Sequence, residues 1–251
     1  MLIDALTIAG PNLFLPTPAL PEMLATSSGN GVDFVVVAPG RPYDYVLPPA
    51  NDRLAAEAAS LPNVACLGRI DPLQGANAIA EARRCLQVLG CAGLLLHPRE
   101  EAFRVRTAVD VLRVAADAGA PVVVVAGAYG LSEPLQILQL ANSVPDATVI
   151  MTSGGQINIS GLGIIDAWTA LERNSNLYVM TNGEYRQDYL ERLVRELDPR
   201  RVLFASLSPY FDQGFEVARI RSATMDAEAR LLVEGANAAR LFGLALEFAH
   251  R

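Results

Sequence analysis

The chain is poor in the residues that most often announce a chemistry. Its 251 residues include two histidines, His97 and His250. A hydrolytic metal centre needs three or four His, Asp, Glu or Cys donors on one ion, so zinc ligation has little to draw on and no metal or cofactor is expected. Cysteine is equally sparse. Cys66, Cys85 and Cys91 are odd in number and lack CxxC spacing, which argues against a disulfide framework or a zinc knuckle and leaves them as buried thiols. Basic runs are missing and the formal charge is −7; phosphate contacts need clustered Lys and Arg, so a nucleic-acid partner is not expected. No apolar run is long enough to span a bilayer, because the stretch from Ala118 to Leu131 is broken by glycines and Pro121. Asp4 and the lack of an early basic region do not fit a secretory leader, so a cytoplasmic protein without a membrane partner is expected.

What the chain has in quantity is apolar surface. About half of its residues (51%) are hydrophobic and 19% are charged, enough for one large core over residues 1–251. The opening Leu2–Ile8 reads as an apolar strand. Gly10–Pro21 carries Pro11, Pro16, Pro18 and Pro21; it cannot be helix interior and is a candidate lid over the face to which the first strand points. Seven further strands follow, at Asp33–Ala38, Val64–Gly68, Gly93–Leu96, Pro121–Val125, Ala147–Met151, Leu177–Met180 and Val202–Ala205. Between them lie helical patterns: one from near Asn51, one over Gln74–Leu89, and a stripe of Val105, Ala108, Val109, Leu112 and Ala116 ended by Gly119. Another runs through Tyr189, Leu190, Leu193, Val194 and Leu197. Strand starts recur at roughly 25 to 31 residues, one strand–helix unit, and eight units predict an α/β (β/α)8 TIM barrel; the alternative is a doubly wound open sheet.

In such a barrel the carboxyl ends of the strands line the active face. Here they present Leu6 and Ile8, Ala38, Arg69 and Asp71, His97, Ala126, Thr152 and Ser153, Thr181 and Asn182, then Ser206 and Leu207. An unperturbed histidine titrates near neutrality, so His97 is the candidate acid–base group, with Asp71 or Glu100 as its carboxylate; the alternative is a histidine hydrogen-bonded at a strand end. Arg69 is placed to bind an anion or orient His97; the alternative is an Arg–Asp pair closing a loop. The segment Gly154–Gly161, with Gln156, offers backbone donors for a carboxylate or phosphate, although it fits no Walker or dinucleotide pattern; the alternative is a tight loop into a helix. Thr152, Asn182, Tyr185, Tyr210 and Asp212 complete a candidate lining. No Ser-His-Asp set can be assembled, because no nucleophile elbow is present.

Six landmarks in order, Ile3-Asp4-Ala5-Leu6-Thr7-Ile8, Gly68-Arg69-Ile70-Asp71-Pro72, Gly93-Leu94-Leu95-Leu96-His97-Pro98, Val149 to Gly155, Arg201 to Pro209 and Gly235 to Phe242, resemble the amidohydrolase-related proteins. That group includes metal-dependent hydrolases and the aminocarboxymuconate semialdehyde and related decarboxylases. The resemblance implies a TIM barrel with a divalent metal held by an HxH pair on the first strand, a histidine after the fifth, another after the sixth, and an aspartate after the eighth. These positions fall on Leu6, Ile8, Ala126, Thr152 and Leu207. The expectation is therefore a member of the family without its metal site, with Leu6, Ile8, Ala126 and Leu207 packed together as an apolar plug. Its mouth is expected to bind a small molecule, a carboxylate-bearing one among the options, either as a pseudoenzyme or with altered chemistry. Two alternatives stand beside this: a metal-independent acid–base enzyme using His97, such as a lyase, isomerase or hydrolase, and a non-catalytic structural or regulatory partner of an active relative. Homo-oligomerisation is a further expectation.

Overall fold

The computed structural model describes residues 1–155 and 163–245. Eight parallel strands run in sequence order: β1 (Ile3–Ala9), β2 (Phe34–Pro39), β3 (Val64–Arg69), β4 (Gly93–Leu96), β5 (Val122–Val124), β6 (Val149–Met151), β7 (Leu177–Met180) and β8 (Val202–Leu203). The last strand returns to the first. Ala5 N donates to Phe204 O at 3.0 Å, Leu207 N to Leu6 O at 2.8 Å and Ile8 N to Ser208 O at 2.8 Å. This seam makes the (β/α)8 barrel and removes the open-sheet alternative.

The apolar residues divide by strand face. Leu67, Leu95, Val123, Ile150, Met180 and Leu203 fill the barrel interior, while their neighbours Cys66, Leu94, Leu96, Val122, Val124, Val149, Met151 and Val179 pack under the helices. This alternation is the period of a strand buried on both faces. A register irregularity in β1 between Asp4 and Thr7 places Leu6 and Ile8 with Ile3 and Ala5 in the interior cluster. Asp4 leaves that cluster for the seam. Its carboxyl group accepts from Ser206 N (2.8 Å), Ser206 Oγ (2.5 Å), Gln213 Nε2 (2.8 Å) and Leu6 N (3.3 Å), so one buried side chain fastens the two strands on which the barrel closes.

Helix starts follow local chemistry: α1 (Leu20–Gly29) opens with Pro21 in its first turn. The helix α2 (Leu47–Ala58) begins four residues before Asn51, because Pro48 occupies its first turn, where a missing N–H costs nothing. The Gln74–Leu89 pattern resolves into a short 3-10 turn over Pro72–Gln74 and the helix α3 (Ala76–Gln87), separated by Gly75 at φ 55°. The stripe near Tyr189 is a short α-helix, Gln187–Arg192, continued by a π-helical turn over Leu193–Leu197. At the opposite end of the barrel from the mouth, Ala238, Ala239 and Phe242 join Ile3 and Phe34 in the interior cluster and close the floor.

Candidate functional site

The mouth is organised by charge. Arg69, at the end of β3, points inward with no exposed surface. Its Nε and Nη2 donate to Glu101 Oε1 at 3.0 and 2.7 Å, Nη2 also reaches Glu100 Oε2 at 2.5 Å, and Nη1 donates to Pro39 O at 3.1 Å. Arg41, from the loop after β2, donates through Nη1 to the same Glu101 oxygen at 3.0 Å. Two guanidinium groups and two carboxylates thus meet in the interior, where unpaired charge would be prohibitive. Burial alone would lower the Arg69 pKa, and the charges of Glu101 and Glu100 reverse that and raise it. Burial pushes the Glu101 pKa up, against the opposing pull of Arg69.

His97 lies beside this cluster. Its Nδ1 accepts from Glu100 N at 3.3 Å, which leaves the proton on Nε2, 3.5 Å from Glu100 Oε1. Burial, and next the positive charge of Arg69, holds its pKa well below the ordinary value. The contact with Glu100 is therefore between a neutral imidazole and a carboxylate, not an ion pair. Tyr210, from the loop after β8, donates its hydroxyl to Glu100 Oε1 and accepts from Asn12 Nδ2 at 3.2 Å. Asn12 belongs to the proline-rich segment, and Leu13 N donates to Arg41 O at 2.7 Å, so that segment is laid across the mouth.

The structure thus brings Arg69, His97, Glu100 and Tyr210 into one network. Asp71 lies elsewhere. Its carboxylate accepts from Leu73 N at 3.0 Å and Gln74 Nε2 at 3.1 Å, capping the turn that begins at Pro72, and it faces a cleft of about 310 Å³ shared with Tyr45, Leu47, Gln74 and Glu81. Thr152 Oγ1 accepts from Ala126 N at 3.0 Å. Asn182 accepts from Ser153 N at 3.1 Å and donates to Ser153 Oγ at 3.0 Å, which holds the β6 end to the β7 end. Gln156 lies outside the described residues.

Sequence reasoning left out Glu101 and Arg41 as partners of Arg69, Asn12 as a partner of Tyr210, and Glu184. The last is buried in the loop after β7, accepts from Arg186 N at 2.8 Å, and is pushed up to about 7 by burial, against the opposing effects of that N–H and of Arg219. A signal existed for Glu101: a Glu-Glu pair follows a strand end in a chain of low charge density.

The sequence profile of the amidohydrolase family matches residues 9–244. The chain belongs to the amidohydrolase family. No curated protein matches it by sequence. Among solved structures it is similar to 2,6-dihydroxybenzoate decarboxylase from Rhizobium, with a TM-score of 0.76 and 17% identity over 97% of this chain and 98% of the other. It is also similar to 5-carboxyvanillate decarboxylase LigW from Sphingomonas paucimobilis, at 0.74 and 20% over 90% and 84%. A third is the dihydroxybenzoic acid decarboxylase from Polaromonas sp. JS666 with bound manganese and 2-nitroresorcinol, at 0.75 and 14% over 98% of each chain. At these identities the likeness establishes the shared barrel.

At the positions to which the resemblance assigns the metal ligands, the side chains present do not fit a divalent ion. Leu6, Ile8 and Leu207 are buried in the interior apolar cluster, and they supply neither lone pairs nor charge to offset an ion's dehydration. Ala126 departs from the expected plug, since it packs with the outer cluster beneath the helices. Thr152 offers a neutral hydroxyl that already accepts from Ala126 N and brings no charge to an ion. Among the described residues no group of three His, Cys, Asp or Glu side chains is placed to hold an ion.

Proposed function

We propose that this chain is an amidohydrolase-family barrel that has exchanged the divalent-metal site for an apolar layer, and that its mouth binds a small aromatic carboxylate without metal chemistry. One observation carries this reading: Leu6, Ile8 and Leu207, three of the five metal positions, are side chains of one buried apolar cluster. Support for the ligand comes from the mouth loops, which expose Phe14, Tyr43, Tyr45, Tyr129, Tyr185 and Phe211, rings suited to stacking on an aromatic molecule. Relatives of the same fold include a 2,6-dihydroxybenzoate decarboxylase complexed with 2,6-dihydroxybenzoate. In this reading Thr152, Gln156, Asn182 and Tyr210 bind the ligand, and Arg69, buried against Glu100 and Glu101, shapes the site by positioning those side chains.

A second reading has its own observation. His97, Glu100 and Tyr210 are in mutual contact, an arrangement able to move a proton without a metal.

The deciding experiment is thermal melting of the protein with 2,6-dihydroxybenzoate, with and without chelator, together with elemental analysis after incubation with manganese or zinc. The proposal expects a ligand-dependent rise in Tm that chelator leaves unchanged, and far less than one bound ion per chain. One retained ion per chain, or turnover abolished by chelator, overturns it. Turnover that ignores chelator and disappears in His97→Ala selects the acid–base reading. Neither turnover nor a shift in Tm removes the ligand and leaves a non-catalytic partner.

A further inference from the structure

Cys66, Cys85 and Cys91 come from β3, α3 and the turn before β4, and all three are buried free thiols. They form a row. Cys66 Sγ and Cys91 Sγ are 3.5 Å apart, and the adjacent backbone is already paired, Ala92 N donating to Cys66 O at 2.9 Å. Cys91 N donates to Cys85 O at 3.0 Å, and Cys85 Sγ donates to Glu81 Oε1 at 3.4 Å. Gly68 makes the room, because a Cβ there would lie 2.5 Å from Cys85 Cβ and 2.6 Å from its Sγ. From Glu81 the row continues toward the mouth. Asn51 Nδ2 donates to Glu81 Oε1 at 2.7 Å, and Asn51 both accepts from Arg69 N at 2.9 Å and donates to Arg69 O at 3.1 Å.

We propose that Cys66 and Cys91 are a reversible dithiol–disulfide pair, oxidised by a hydroperoxide, that fastens β3 to the start of β4 and with it the strand end carrying Arg69. The two sulphurs must close from 3.5 Å to about 2.0 Å, a movement that side-chain rotation supplies once the turn relaxes. Cys91 is the first to react. It lies in that turn next to Gly90 at φ 67°, and the S–H of Cys66 favours its thiolate, although Cys85 and burial still keep its pKa up at about 12. Oxidation is therefore slow and proceeds through local opening of the turn. The Cys91 thiolate attacks a peroxide oxygen, the O–O bond breaks, and a sulfenic acid and one water or alcohol form. The Cys66 sulphur then displaces the sulfenic oxygen, which leaves as water, and the S–S bond forms. Two thiols lose two protons and two electrons, and the peroxide is reduced. This pair is independent of the function proposed for the mouth.

The test is to treat the full chain with hydrogen peroxide, alkylate, digest, and map the products by mass spectrometry. The expected result is a fall from three alkylatable thiols to one, a crosslinked peptide joining Cys66 to Cys91, Cys85 alkylated in the same molecules, and full reversal by dithiothreitol. Tm rises in the oxidised form, and amide exchange slows at Ala92 and Arg69. Cys85→Ser keeps the crosslink and Cys91→Ser abolishes it; should Cys91→Ser not fold, the wild-type peptide map decides alone. Three thiols still alkylated, a crosslink through Cys85, oxidation to a sulfinic acid without a crosslink, or unchanged exchange at Arg69 would each overturn the proposal.

Discussion

Arg69 Nη2 and Glu101 Oε1 stand 2.7 Å apart, and neither side chain exposes any surface to solvent. The same carboxylate oxygen also takes the second guanidinium, Arg41, while Glu101 Oε2 has no hydrogen-bond partner. Attraction in such a pair roughly offsets the desolvation of its members, so its presence says little about net stability. Its disruption says much more. Glu101→Gln keeps the shape but leaves two buried guanidinium groups with one carboxylate, and the expected loss is about 3–5 kcal/mol in urea unfolding. The double variant Arg69→Met/Glu101→Gln is expected to lose less than the sum of the single variants. A loss below about 1 kcal/mol for Glu101→Gln would show that the network is not coupled as described.

Asp4 gives a stability profile with a defined sign. Burial raises its pKa from 3.8 to about 6 despite four accepted hydrogen bonds, so folding takes up a proton at this site. Its contribution is fully present below about pH 3.8 and is lost as pH rises through about 6. A shift of about two units corresponds to roughly 3 kcal/mol. Urea unfolding of the wild type and Asp4→Asn from pH 5 to 8 should show the wild type losing ground against the variant as pH rises. The opposite slope would place the charged form of Asp4 as the favoured one.

The strands were legible because β-branched and apolar runs of four to seven residues between Gly and Pro punctuation have few other solutions. Gly93–Leu96 and Leu177–Met180 are the same segments in sequence and structure, and Gly119 ends its helix at φ 65°. The partners of the mouth residues were less legible. Arg69 and Asp71 sit two residues apart, a spacing that shares one face within a strand, but β3 ends at Arg69 and Pro72 opens a new turn, so one enters the network and the other caps that turn. Ala126 illustrates the same limit: its position after β5 was readable, but which side of the barrel wall it packs on depends on the course of the loop.

His97 should remain neutral across the physiological range. Burial and Arg69 both oppose its protonation, and an Nδ1 that accepts from Glu100 N fixes the proton on Nε2. Nitrogen-15 NMR of the imidazole is expected to show the Nε2–H tautomer at neutral pH and a titration midpoint well below that of an ordinary histidine. In Arg69→Met one of the two opposing influences is gone, so the midpoint should move up. A wild-type midpoint near the ordinary histidine value would mean that the ring is solvated, and the acid–base reading would gain ground.

Leu207 sets backbone strain against side-chain packing in the loop after β8. Its backbone is left-handed, at φ 53°, a region in which Asp and Asn are enriched and a large apolar residue is uncommon. Holding it there costs about 1 kcal/mol, which Leu207→Gly would relieve. The same side chain is 3% exposed and packs in the interior cluster with Leu6 and Ile8, and removing a buried leucine costs about 2–5 kcal/mol. Packing outweighs the strain, so Leu207→Gly should destabilise by roughly 1–4 kcal/mol despite the relief of the backbone. Leu207→Asp suits the backbone but places a carboxylate among leucines, and it should lose more than the glycine variant at pH 7 and recover part of the difference on acidification. Urea unfolding of the two variants at pH 5 and 7 measures this directly; a stabilised Leu207→Gly would mean that backbone strain, not the apolar cluster, governs this strand end.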